Sequence, residues 1–247
     1  MHDLEGKTFL IVGASRGIGK NVAEYLTNVS GASVVLIARN KKQIVSMAEK
    51  LQGNNYAIQC DVTVSMDIQA VFQEMLLKGI KINGMVYCAG IAPLYKIEDN
   101  DENQTVETIK VNALGFLEMC KYMISSSCVN KNASIVAISS IVSDTVTNRQ
   151  AVYAGSKAML NTYVKYMAKE TLGRMRVNAI LPGAVRTDML QKLCEESEGY
   201  EESLKKYYPL GIIPPEKISK LVSYLFSTDA EYITGSLFTM DGGYLLR

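Results

Sequence analysis

"IVGASRGIGKN", Ile11 to Asn21, is the stretch on which the reading of this chain turns. An apolar run enters it, three glycines follow, and a helix-like segment leaves it. That is the sequence form of a strand, a tight turn and a helix whose first N–H groups can meet a phosphate. The spacing, Gly13-x-x-x-Gly17-x-Gly19, differs from the G-x-G-x-x-G dinucleotide fingerprint. It also differs from G-x-x-x-x-G-K-[ST]: Gly13 to Gly19-Lys20 is one residue too long, and Asn21 replaces the metal-binding hydroxyl.

The flanking sequence explains what such a turn would serve. Short β-branched runs alternate with longer segments of helical period. Strands are expected at Lys7–Val12, Ser33–Ala38, Tyr56–Gln59, Ile82–Cys88, Ala133–Ser139, Met175–Leu181 and Leu237–Met240. Helices are expected at Gly17–Ser30, Lys41–Gln52, Ser65–Lys78, Glu102–Ser127, Gln150–Leu172 and Pro215–Ser227. Runs such as "TFLIV" and "SVVLIA" are apolar on both faces, as strands buried between two helix layers are. Alternating βαβ units call for a parallel sheet with right-handed crossovers. The expectation is a single α/β domain over 1–247, a Rossmann-type doubly wound sheet of about seven strands. The irregular stretch 183–214, punctuated by Pro and Gly, reads as a lid over the carboxyl ends of the strands.

Composition removes several function classes. A net charge of +1 gives no electrostatic argument for nucleic acid or an acidic membrane. No apolar run is long enough to cross a bilayer, and "MHDLEGKTF" lacks the form of a signal peptide. The five cysteines (Cys60, Cys88, Cys120, Cys128, Cys194) are scattered and never form C-x-x-C, which favours a reducing cytoplasm. The only histidine is His2, at a terminus expected to fray. Ser-His-Asp hydrolysis, Cys-His proteolysis and a histidine-bound zinc are therefore excluded, and proton transfer falls to Tyr, Lys, Asp, Glu or Cys.

The second strand bears on the cofactor. NAD sites place a carboxylate roughly 20 residues beyond the glycines, against the ribose 2′-hydroxyl. Here the sequence is "SVVLIARNKKQ", with no acid between Gly31 and Met47. Arg39 and Arg16 are placed to meet a 2′-phosphate, for which a planar guanidinium is suited. NADP(H) is favoured, and NAD(H) stays open. "YAGSK" puts the Tyr153 phenol and the Lys157 ammonium four residues apart on one helix face. A nearby cation favours phenolate, so such a pair can give or take a proton.

Together "VGASRGIG", "CDV", "YCAG", "KVNALG", "AISS", "YAGSK", "LPGAVRTDM" and "ITGSLFTMDGG" resemble the short-chain dehydrogenase/reductase family across nearly the whole chain. The family's glycine turn is G-x-x-x-G-x-G, which accounts for the spacing of Gly13, Gly17 and Gly19. The resemblance implies a catalytic set of Asn112, Ser140, Tyr153 and Lys157. Tyr153 would protonate a carbonyl oxygen, or deprotonate the alcohol in reverse. Lys157 would lower the tyrosine pKa and hold the nicotinamide ribose. Ser140, thirteen residues before Tyr153, is chosen over Ser139 to polarise the carbonyl. Asn112 would hold a water that links Lys157 to solvent.

For the cofactor, the resemblance implies the turn residues Ser15, Arg16 and Ile18 with the glycines, then Arg39, Asp61, Val62, Ala89 and Gly90. Tyr153, Lys157, Pro182, Gly183, Val185 and Thr187 complete the set. Asp61 could also cap the next helix. Tyr87 and Cys88 stand where the family usually has two asparagines, and Cys88 reads as a small buried hydrophobe. No metal is needed. The expected activity is reduction of a ketone to a secondary alcohol, or the reverse. The substrate would be a small molecule or an acyl-carrier-linked ketone, and the assembly a homotetramer.

Resemblance to the family's 3-oxoacyl-[acyl-carrier-protein] reductases points to Lys131 and Arg174 as carrier-docking residues. Against this stand the acidic residues Glu195, Glu196, Glu198, Glu201 and Glu202, and the missing arginine after "PLG". A free ketone, sugar, polyol or steroid stays open. So does a non-catalytic dinucleotide sensor, which would have little reason to keep Ser140, Tyr153, Lys157 and Asn112 together.

Overall fold

The structure is a computed structural model that describes residues 2–196 and 200–246. Seven strands run in parallel: β1 Thr8–Val12, β2 Ser33–Ala38, β3 Tyr56–Gln59, β4 Ile82–Tyr87, β5 Val129–Ile138, β6 Met175–Pro182 and β7 Leu237–Met240. Their order is β3-β2-β1-β4-β5-β6-β7, so the winding reverses between β1 and β4. Around them lie α1 Gly17–Asn28, α2 Lys41–Lys50, α3 Ser65–Leu77, α4 Glu102–Ile109, α5 Gly115–Ser125 and α6 Ala151–Glu170. The series ends with α7 Asp188–Glu196, α8 Tyr200–Tyr207 and α9 Pro215–Phe226.

The strand sequences dictate this double layering. Side chains alternate across a strand, so in β1 Leu10 and Val12 join one core while Phe9 and Ile11 join the other. The first core packs against Ile68 and Phe72 of α3, Phe116 and Met119 of α5, and Leu160 and Val164 of α6. The second packs against Val22 and Leu26 of α1, Ile44 of α2, and Ile218 and Val222 of α9. Phe9 and Phe226 stack nearly parallel with ring centroids 4.4 Å apart. Each such buried side chain contributes about 1.5–3 kcal/mol. The i,i+4 ion pairs, such as Lys78–Glu74 at 2.6 Å, lie on the surface and contribute about 1 kcal/mol at most. The two apolar faces hold the fold.

Three expectations change. The N-terminus is tied down rather than frayed. Leu4 is fully buried, and Asp3 Oδ2 accepts from Thr228 N at 2.9 Å and Lys7 Nζ at 3.2 Å. β5 begins earlier than expected, because the polar "VNKN" pairs at Val129 ahead of an irregularity between Ile82 and Gly84. The helix expected over Glu102–Ser127 is interrupted by a π-helical turn at Lys110–Leu114, which carries Asn112. The stretch 183–214 contains the helix pair α7 and α8. Of its acidic residues Glu198 lies outside the described residues, while Glu195 and Glu202 are exposed.

Candidate functional site

Parallel register brings the carboxyl ends of the strands to one rim: Val12 pairs with Tyr87 and with Ile37, and Ile138 pairs with Ile180. A cavity of about 720 Å³ opens there, at the reversal between β1 and β4 where ligands of doubly wound sheets bind. The glycine turn, Arg39, Asp61, Ser140, Tyr153, Lys157 and Thr187 all line it. So do Ser15, Ile18, Val62, Ala89, Gly90, Pro182, Gly183 and Val185. Asn112 lies behind that wall, fully buried.

The three glycines divide their work. Gly13 has φ 84, and a Cβ on it would sit 2.6 Å from Ala89 N, so it brings the exits of β1 and β4 together. A Cβ on Gly19 would collide with the Gly13 carbonyl oxygen. These two serve packing inside the protein, whereas Gly17 begins α1 beside Thr187. The N-cap residue of α1, Arg16, makes no side-chain capping bond, so the helix presents uncapped N–H groups to the cavity. That is the donor set a pyrophosphate needs, and the residues present fit a dinucleotide. The turn itself is braced by Gly13 N and Ala14 N, which donate to Ile37 O at 2.9 and 3.0 Å, and by Gln43 Nε2, which donates to Ser15 O at 2.8 Å.

At the far end Arg39 follows β2, its carbonyl held by Gln59 Nε2 at 3.0 Å. Asp61 does not cap α3: the N-cap is Val64, and Asp61 Oδ1 instead accepts from Thr63 N at 2.9 Å and Thr63 Oγ1 at 2.7 Å. Tyr87 is fully buried and its hydroxyl donates to Val111 O, in the π-helical turn, at 2.6 Å. Cys88 is partly buried, and burial pushes its thiol up to about 12 against the opposing pull of Lys157.

Ser140, just past β5, faces the same cavity as the Tyr153 phenol and lies near enough to influence its pKa. Ser139 turns its hydroxyl to the Lys157 carbonyl at 3.4 Å, which favours Ser140 as the serine of the set. Burial raises the Tyr153 pKa, and the neighbouring Ser140 hydroxyl is the influence that lowers it. Lys157, expected to do that work, instead lies 5.8 Å over the Tyr153 ring and donates to Ile138 O at 2.9 Å. Burial lowers Lys157 to about 8, opposed by Cys88. Asn112 Oδ1 accepts from Ile91 N, while Nδ2 donates to Ile91 O and Ser156 Oγ, each at 2.9 Å. Its side chain thus staples the Gly90–Ile91 segment to α6, leaving one lone pair of Oδ1 for the expected water.

Several contributors are not apparent in the sequence motifs. Asn161, one turn beyond Lys157, donates to Ser143 Oγ at 2.8 Å, and Ser143 Oγ donates to Ser140 O at 2.8 Å. The i+4 spacing from Lys157 was the available signal. Gly183 is a glycine because a Cβ there would lie 2.6 Å from Tyr208 Cε1. Arg149 lines the cavity with φ 65, a left-handed backbone that costs a non-glycine residue about 1–2 kcal/mol. Lys131 and Arg174 sit before β5 and β6 pair fully, at the amino-terminal rim, across the sheet from the cavity.

A doubly wound sheet with a glycine turn at its reversal point and a Ser–Tyr–Lys group in the same cleft defines a dinucleotide-binding oxidoreductase site. A family model described as Enoyl-(Acyl carrier protein) reductase matches residues 13–245. The carbonyl reductase family member 4 of Xenopus laevis is 34% identical over 98% of this chain and 99% of its own. The 3-oxoacyl-[acyl-carrier-protein] reductase of Homo sapiens is 33% identical over 97% of this chain and 98% of its own. The aldohexose dehydrogenase of Thermoplasma acidophilum superposes with a TM-score of 0.89 at 27% identity, covering 100% of this chain and 96% of that one. The chain belongs to the short-chain dehydrogenase/reductase family.

Proposed function

We propose that this protein is an NADP(H)-dependent oxidoreductase that reduces a ketone to a secondary alcohol, or runs the reverse. The observation that carries the reading is the grouping of Ser140, Tyr153 and Lys157 in the cavity lined by the glycine turn, with the buried Lys157 Nζ 5.8 Å over the Tyr153 ring. The dinucleotide supplies the hydride when bound. Ser140 and Tyr153 orient the substrate carbonyl oxygen, and both strengthen their contact as negative charge develops on it. Tyr153, kept protonated by burial, donates its proton to that oxygen. The phenolate left behind takes a proton back from solvent, with Lys157, which burial lowers to about 8, as the nearby ammonium that can pass it on. Arg16 and Arg39 support the choice of the 2′-phosphorylated cofactor, with no carboxylate at the end of β2 to oppose it.

Reduction of a 3-oxoacyl thioester is the first substrate reading, supported by the relatives of that name. A free ketone, sugar or polyol is the second, favoured by the position of Lys131 and Arg174 away from the cleft and by the exposed Glu195 and Glu202. The helices α7 and α8 act as the lid, since Met189, Leu190, Leu204 and Tyr207 line the cavity. Exposed Val106, Leu114, Leu117 and Tyr166 on or beside α4, α5 and α6 support a homotetramer, which light scattering tests. Free cysteines support a cytoplasmic setting, and among the described residues no helix is long and apolar enough to cross a membrane. Tyr153→Phe is expected to fold and bind NADPH while losing turnover at least a hundredfold. Wild-type-like rates with a panel of activated ketones would refute the assignment, and silence of the wild type would favour the dinucleotide sensor.

A further inference from the structure

Arg149 has a place in the cleft that no part of the hydride-transfer reading uses. Arg149 is exposed and its guanidinium makes no hydrogen bond or ion pair among the described residues, so it is open to a ligand in the cavity that the residue lines. Its backbone is left-handed, a conformation that glycine adopts without strain, and its carbonyl is held there by Tyr95 N at 3.1 Å. A long cation kept at a position suited to glycine points to work done by the side chain. Arg16 and Arg39 belong to the phosphate end of the cleft, and Lys157 is tied to Ile138. Of the cations that line the cavity among the described residues, Arg149 is the one left without a task, and Leu94, Val142 and Tyr207 line the same cavity. Arg149 also adjoins the start of α6, where Gln150 makes no side-chain capping bond. The positive helix end adds to the guanidinium there.

We propose that Arg149 and the first turn of α6 bind an anionic group, a carboxylate or a phosphate, carried by the substrate away from its reacting carbonyl. The proposal rests on the oxidoreductase reading and narrows its substrate to ketones with a negative tail. A guanidinium meets either anion through paired N–H donors, which a lysine cannot reproduce.

The test uses the full chain with NADPH. Rates are measured for a homologous series of keto acids, each beside its methyl ester, and for acetoacetyl-coenzyme A beside acetoacetyl-N-acetylcysteamine. Arg149→Gln and Arg149→Gly are expected to raise KM for the anionic partner of a pair at least tenfold more than for the neutral one. Arg149→Lys falls between. The keto-acid and coenzyme A pairs distinguish a carboxylate tail from a phosphate tail. Arg149→Gly should melt at or above the wild-type temperature, since glycine accepts the backbone, which separates lost binding from lost folding. Equal effects on charged and neutral substrates overturn the proposal. Protection against heat denaturation by the same compounds is read in parallel. Arg149-dependent protection without turnover keeps the anion subsite and removes the reaction. Turnover or protection that ignores Arg149 removes the subsite, and so does the absence of both.

Discussion

Lys157 Nζ donates a 2.9 Å hydrogen bond to the carbonyl oxygen of Ile138, the last residue of β5. The bond ties the centre of α6 to the strand that delivers Ser140. It also holds an ammonium where burial opposes its charge, lowering it from 10.5 to about 8. In the unfolded chain the lysine keeps its ordinary affinity, so between pH about 8 and 10.5 the unfolded state binds the extra proton. Below that window both states are charged and the burial penalty acts in full. Stability from this group therefore rises with pH across the window. Denaturant titrations of wild type and Lys157→Met should diverge there, in favour of the wild type at higher pH, by about 3 kcal/mol at most. A difference that stays flat from pH 8 to 10.5 would contradict the burial of a charged Lys157.

Tyr87→Phe keeps the ring that packs edge-on against Phe116 at 5.6 Å and removes only the hydroxyl on Val111 O. A buried carbonyl in the π-helical turn then loses its partner, at about 1–3 kcal/mol. Urea denaturation should show that loss with an unchanged m-value; a neutral substitution would mean that the carbonyl finds another donor.

Arg39→Asp places a carboxylate where a ribose 2′-hydroxyl would be met and a 2′-phosphate repelled. The ratio of kcat/KM for NADPH over NADH should fall at least tenfold. Retained preference for NADPH would remove Arg39 from cofactor selection and leave Arg16 as its source.

Asn161→Ala frees Ser143 Oγ, which holds the Ser140 carbonyl. The same change deletes Asn161 Oδ1, a buried acceptor with no hydrogen-bond partner among the described residues, so its effect on stability should be small. Misplacement of Ser140 should lower kcat about tenfold with little change in cofactor KM. A fall in melting temperature with kcat intact would make Asn161 a packing residue only.

The sheet was legible because its strands are apolar on both faces, and the glycine turn and "YAGSK" kept their spacing in full view. The interruption at Lys110–Leu114 was not, since "TIKVNALGF" has an unbroken helical pattern. What widens that turn comes from distant groups: the Tyr87 hydroxyl on Val111 O and the two bonds of Asn112 to Ile91. The Lys157–Ile138 bond was hidden for the same reason, because an ammonium chooses among acceptors that only folding brings near. Asp61 was read as a cofactor residue that could also cap the next helix; its side chain instead makes a local Asx-type bond to Thr63, and the cap falls at Val64.

Gly183 follows β6 and Tyr208 follows α8, both line the cavity, and only a hydrogen fits between them. A ligand that pushes either residue toward the other therefore meets a contact with no slack. With the proposed dinucleotide and substrate bound on either side of that contact, whatever factor one applied to the other's affinity would be returned in full. Measuring one binding constant in the presence and absence of the second ligand would thus give both couplings at once.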